Sequence, residues 1–110
     1  MKTNIIRLQE IDSTNRFLKN LDSYDEEALT VAVADYQTSG KGQGSHTWEG
    51  ERGKNLLLSL LVCPRWVPVR QQFLLSEAGA LAIKEALDTY AEGFTLKWPN
   101  DVYWNDKKIS

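Results

Sequence analysis

Short apolar blocks alternate with polar stretches along this chain, and their spacing changes from block to block. Ile5 to Ile11 reads as a first strand that ends in Asp12-Ser13-Thr14-Asn15, a quartet rich in helix-capping side chains. Phe17, Leu18 and Leu21 then supply the face of a short helix. Leu29 to Ala34 is nearly continuous in apolar character, as a central strand would be. Leu56 to Val62 reads as a further strand, closed by Pro64 and Pro68. From Gln71 to Tyr90 the spacing predicts the longest helix, with Leu75, Gly79, Ala82, Ile83, Ala86, Leu87 and Tyr90 on one stripe and Gly93 as the stop signal. Thr95 to Trp98 and Val102 to Trp104 read as two last strands, followed by the turn Asn105-Asp106-Lys107. Only Lys108, Ile109 and Ser110 remain after that turn, too few for a useful hairpin arm. The expectation is that the natural protein continues beyond Ser110, or that another chain completes the sheet. Periodicity alone therefore supports an α/β or α+β fold in one domain.

Composition narrows the function classes. Thirteen basic against fifteen acidic side chains leave a net charge of −2, without the basic excess that a general nucleic-acid binder needs. No apolar run approaches membrane-spanning length, and the start has no long apolar segment of the signal-peptide kind. The single Cys63 excludes an internal disulfide framework. At the end of an apolar strand it reads as a core residue rather than a nucleophile. A reduced, cytoplasmic domain is the expectation, with neither nucleic acid nor membrane as a partner.

Between Gln37 and Gly53 the chain is polar and carries five of the seven glycines, which reads as one long loop. Gly40, Gly42 and Gly44 alternate with Lys41 and Gln43, a pattern that lets backbone N–H groups approach an anion beside a cation. Trp48 offers a flat face for stacking a ring. The plainer alternative is a mobile, glycine-rich surface loop. The spacing is neither that of a Walker phosphate loop nor that of a dinucleotide fingerprint. In Lys97-Trp98-Pro99-Asn100-Asp101, a lysine on a mostly buried strand needs a partner. Asp101 is one candidate, and it could instead hold a divalent cation. The plainer alternative is a solvated lysine on an edge strand. His46 is the only histidine, so histidine-based metal clusters are disfavoured, and Trp66 and Trp104 read as packing residues.

Together these segments resemble the catalytic domain of the biotin–protein ligases. Asp12-Ser13-Thr14-Asn15 resembles the family element after the first strand, and Gln37 through Trp48 resembles its biotinyl-adenylate loop. Lys97-Trp98-Pro99-Asn100-Asp101 is identical to the family signature, and Lys107-Lys108-Ile109 matches the next lysine position. The resemblance covers nearly the whole chain, but only about the first half of a family catalytic domain. It implies a mixed, largely antiparallel sheet packed against helices. It also implies a ligase-only type, without an N-terminal DNA-binding domain.

The activity implied has two steps: biotin and ATP give biotinyl-5′-AMP, and a lysine of a biotin carboxyl carrier protein then takes the biotinyl group. By resemblance, Ser13, Thr14, Asn15 and Gln37 read the ureido ring, with helix capping as a compatible second role for Ser13 and Thr14. Gly40, Lys41, Gly42 and Gln43 line the loop side of the biotin site. Lys41, Trp48, Lys97 and Asn100 meet the nucleotide, and the loop orders on ligand binding. Lys108, Lys97 and Asp101 carry the catalytic charges, with Lys108 on the biotin carboxylate and Asp101 holding Mg²⁺. Two departures stand out. The family loop usually reads Gly-Arg-Gly-Arg-x-x-Arg, whereas Lys41, Gln43 and His46 occupy the arginine positions here. The chain also stops before the family's Gly-x-Leu-x-Glu strand. A lipoate–protein ligase and a non-catalytic biotin- or nucleotide-binding module remain as alternatives, and a homodimer stays open.

Overall fold

The structure is a computed structural model, and it describes residues 2–41, 47–65, 67–97 and 100–110. The chain divides into two compact units, Met1–Cys63 and Pro64–Ser110.

In the first unit, β1 (Lys2–Ile11) leads into α1 (Thr14–Lys19) and then β2 (Ala28–Gln37). β3 (Gly40–Lys41), β4 (Thr47–Trp48) and β5 (Leu57–Leu61) follow. The main sheet has the order β1-β2-β5, with β2 parallel to β1 and antiparallel to β5. The nearly unbroken apolar run of β2 suits this central place, and Ala28, Val31, Ala32 and Ala34 are buried along it. α1 lies against β2 and β5. Because β1 and β2 run parallel, with Ile11 opposite Gln37, both strands end on the same side of the sheet. Beyond them the Thr38 N–H donates to the Ile11 carbonyl (3.0 Å) and the Ser39 N–H to that of Asp12 (2.7 Å). The stretch read as one long loop thus contains a short ribbon, with Gly40 opposite Trp48 and Lys41 opposite Thr47. A two-residue ribbon leaves too little alternation for sequence periodicity to register.

The second unit contains α2 (Phe73–Asp88), preceded by a 3₁₀ turn at Val69–Gln71, and an antiparallel sheet. Its strands are β6 (Phe94–Lys97), β7 (Asp101–Trp104) and β8 (Lys107–Lys108), in that spatial order. α2 lies against β6 and β7, and Val102 is fully buried on β7. The predicted stripe on α2 is only partly right. Leu75 and Leu87 are half-buried, but the line through them runs by Glu77, Ala80 and Lys84, whereas Gly79, Ala82, Ile83 and Ala86 are exposed. Tyr90 lies beyond the helix and is 86% exposed. Lys84 joins this line with a half-buried side chain whose ammonium pairs with Asp88 at 2.7 Å. Gly93 has φ +102°, a conformation that needs glycine, and its carbonyl accepts from the Asn105 N–H at 2.9 Å.

The expectation that no second hairpin arm forms after the turn is corrected. Lys107 and Lys108 pair with Trp104 and Tyr103, and the Ile109 N–H donates to the Val102 carbonyl at 2.9 Å. Asn105, with φ +53°, makes the turn tight enough for two residues to suffice. The fold class agrees with expectation: a mixed sheet and antiparallel sheets combined with two α-helices. No helix among the described residues is long and apolar enough to cross a membrane.

Candidate active site

The sequence-predicted residues fall into two groups, one in each unit. The first gathers where β1 and β2 end. Ser13 is extended (φ −154°, ψ 145°) and caps α1, its hydroxyl accepting from the Arg16 N–H at 3.0 Å. Its own N–H donates to Asp12 Oδ1 at 2.7 Å. Thr14, only 2% exposed, turns toward Gln37 at the end of β2. The Thr14 N–H reaches Gln37 Oε1 at 2.8 Å, and Thr14 Oγ1 reaches the same oxygen at 3.0 Å. Gly40 is buried just beyond, Lys41 is exposed beside it, and Asn15 points to solvent. Gly42, Gln43 and His46 lie outside the described residues, as do the Trp48 side chain and the ordering of the loop on ligand binding.

One member of this cluster carried no sequence signal that was used. Ser59, on β5, is buried and its Oγ lies 2.6 Å from Thr14 Oγ1. A lone serine inside Leu56-Leu57-Leu58-Ser59-Leu60-Leu61 was the available clue, because a buried hydroxyl in an apolar strand requires a partner. Arg52 stacks over the Tyr36 ring at 4.5 Å and pairs with Glu10. The Gly53 N–H donates to the Asp35 carbonyl at 3.0 Å.

The second group lies on one face of β6, β7 and β8. Strand alternation puts Lys97, Asp101, Tyr103 and Lys108 together there, opposite the face that carries Val102. The Lys97 Nζ sits 4.2 Å from the centre of the Tyr103 ring. Asp101 is directly across the ladder from Lys97, yet the ion pair found for it is with Lys108, at 3.3 Å. Lys97 is therefore an exposed lysine with an aromatic partner. The premise of a mostly buried strand fails, because Thr95, Leu96 and Lys97 of β6 are exposed. Asn100 is half-buried in the turn before β7, and Trp98 and Pro99 lie outside the described residues.

Asp101 is the carboxylate on this face. A magnesium ion bound to a polyphosphate needs only one or two protein carboxylates, so the donor set fits that mode of binding. Among the described residues no group of three or more metal-ligating side chains forms a cage. Cys63 is half-buried rather than in the core. Its thiol lies against the Tyr24 hydroxyl and pushes that phenol above its ordinary pKa. Trp104 packs on Phe94, with ring centroids 6.4 Å apart, and its Nε1–H donates to the Glu92 carbonyl at 3.0 Å. Trp66 lies outside the described residues.

Comparison with known proteins decides the family. Residues 7–110 match the biotin/lipoate A/B protein ligase family. The chain belongs to that family. It is 31% identical over 109 residues to the bifunctional ligase/repressor BirA of Bacillus spizizenii, covering 98% of this chain and 33% of that protein. It is 33% identical over 87 residues to the biotin–[acetyl-CoA-carboxylase] ligase of Mycobacterium tuberculosis, covering 73% of this chain and 32% of that protein. Among solved structures, the biotin protein ligase of Aquifex aeolicus in complex with biotin and ATP superposes with a TM-score of 0.77 at 38% identity. That match covers 96% of this chain and 43% of the other. This member of the biotin/lipoate ligase family thus spans about a third of the length of the curated relatives it matches.

Proposed function

We propose that this chain is the N-terminal portion of a biotin–protein ligase catalytic domain, and that the protein activates biotin with ATP and transfers it to a carrier-protein lysine. The observation that carries this reading is the cluster of Ser13, Thr14 and Gln37 beside Gly40 and Lys41. It is a set of fixed, uncharged hydrogen-bonding groups suited to a urea ring, whose polar atoms cost about 1–3 kcal/mol each if buried without partners. A solved relative supports it: the biotin protein ligase of Leishmania major, 27% identical with a TM-score of 0.72, in complex with biotinyl-5-AMP.

In the first step a biotin carboxylate oxygen forms a bond to the α-phosphorus of ATP, and the bond to pyrophosphate breaks. An anion meets an anion there. Two unit charges ~4 Å apart repel by about 4 kcal/mol at an effective dielectric near 20, and ATP carries several charges. Lys108, Lys97 and Lys41 supply the opposing charge, with Lys108 at the carboxylate and α-phosphate. Asp101, with Asn100 beside it, would hold Mg²⁺, which neutralises phosphate charge when bound. Asn15 and the loop residues Gly42 and Gln43 complete the biotin side, and Trp48 the nucleotide side. In the second step the amine of an acceptor lysine attacks the mixed anhydride carbonyl, and AMP leaves. The acceptor is a biotin carboxyl carrier protein, and the setting is cytoplasmic.

The test is exchange of labelled pyrophosphate into ATP by the protein that contains this chain. Exchange that depends on biotin and Mg²⁺ is expected. Exchange driven by lipoate instead would make it a lipoate ligase, and biotin binding with no exchange would make it a binding module. Within this reading, Gln37→Ala weakens biotin affinity about tenfold while leaving ATP affinity unchanged. Calorimetric titration with each ligand checks this, and equal losses for both would remove Gln37 from the ureido site.

A further inference from the structure

The directions of the hydrogen bonds around Thr14 follow from chemistry. A backbone N–H only donates, so the Gln37 side-chain atom 2.8 Å from the Thr14 nitrogen must be its oxygen. An amide oxygen only accepts, so Thr14 Oγ1, at 3.0 Å, directs its one proton to that same oxygen. Thr14 Oγ1 then has no proton left for Ser59, and the 2.6 Å contact between the two hydroxyls is a bond that Ser59 donates. The chain of donors runs from Ser59 through Thr14 to Gln37 Oε1. Both lone-pair positions of that oxygen are taken, and these bonds use neither of the Nε2 hydrogens.

We infer that Ser59 is a positioning residue: by donating to Thr14 Oγ1 it holds the Thr14 proton on Gln37 Oε1, and so locks in place the orientation, set by the Thr14 N–H, in which Gln37 presents a donor rather than an acceptor to the bound ligand. The inference rests on the proposed reading of Gln37 as a ureido contact, and it specifies the group read, which is the ring carbonyl. Ser59 is suited to this part by its strand. It lies opposite Ala32 in the ladder, so its short side chain has a fully buried alanine as its cross-strand neighbour. With Ser59 gone, the Thr14 hydroxyl loses its donor and is free to rotate, and the carboxamide loses one of the two bonds that fix it.

The experiment compares wild type, Ser59→Ala and Ser59→Thr in the protein that contains this chain, with two readouts. The first is the Gln37 side-chain amide signal in the NMR spectrum without ligand. It is expected to move in Ser59→Ala and to return in Ser59→Thr, which restores the hydroxyl. The second is affinity for biotin and for ATP. Biotin affinity should fall about fivefold to tenfold in Ser59→Ala and recover in Ser59→Thr, with ATP unaffected. An unmoved Gln37 signal with unchanged biotin affinity overturns the inference. So does an equal loss for both ligands that threonine does not rescue, because that is the signature of a purely structural residue. If the wild-type protein binds no biotin, the proposed function fails, and the NMR comparison decides the role of Ser59 by itself. Should Ser59→Ala not fold, Ser59→Cys takes its place. Its weak S–H donor should shift the Gln37 signal in the same direction, and an unmoved signal overturns the inference.

Discussion

Lys108→Ala is expected to slow biotin-dependent pyrophosphate release by about 10²- to 10³-fold, the effect of removing one group aimed at developing charge. Its thermal midpoint should stay close to that of the wild type. The two expectations separate because Lys108 lies on a face open to water. Its side chain is 44% exposed, and that of its ion partner Asp101 is 30% exposed. A pair this open contributes about 0–1 kcal/mol to folding, since water and salt screen most of the attraction. In the proposed adenylation step, by contrast, the repulsion it opposes is several times larger. Single-turnover release measured beside a thermal melt checks both halves. Near-normal release would remove Lys108 from the chemistry, whereas a collapsed melt would make it a structural residue.

Thr14→Val is expected to act the other way round, on stability first. The valine has nearly the same shape but neither donates nor accepts. Thr14 is 2% exposed and Ser59 is 9% exposed, so the Ser59 hydroxyl is left without a partner where water cannot easily replace it. A stranded buried hydroxyl costs about 1–3 kcal/mol, which is a large share of the stability of a small domain. The midpoint of urea unfolding should fall accordingly, and Thr14→Ser should hold within about half a kcal/mol of wild type. A valine variant as stable as the wild type would mean that the hydroxyl pair is not coupled to folding.

The two predictions also mark what could and could not be read from the residues alone. Capping at Ser13 was legible because an N-cap is local: the side chain and the amide it binds are three positions apart. Strand β2 was legible because burial on both faces leaves an unbroken apolar run. Ser59 was not legible as part of the cluster. It meets Thr14 across 45 positions of sequence, and only the pairing of β5 with β2 brings them together. The line along α2 was misjudged for a related reason. Ala80 is its buried position and Lys84 is half-buried, and a pattern built on large apolar residues gives those positions no weight. For Lys97, the aromatic partner Tyr103 lies on the next strand, and Asp101, the candidate partner, is found paired with Lys108.

The parallel pairing of β1 and β2 has a consequence for engineering this protein. The ladder from Lys2 opposite Ala28 to Ile11 opposite Gln37 fixes Gln37 relative to the start of α1. The return from α1 to β2, residues 22–27, is exposed and enters β2 at its opposite end. Doubling the length of such a connection costs only about 0.6 kcal/mol of closure entropy. It also leaves the register untouched, because the strand pairing rather than the connection sets it. An epitope or fluorophore inserted there would travel with the first unit without altering the groups gathered where β1 and β2 end.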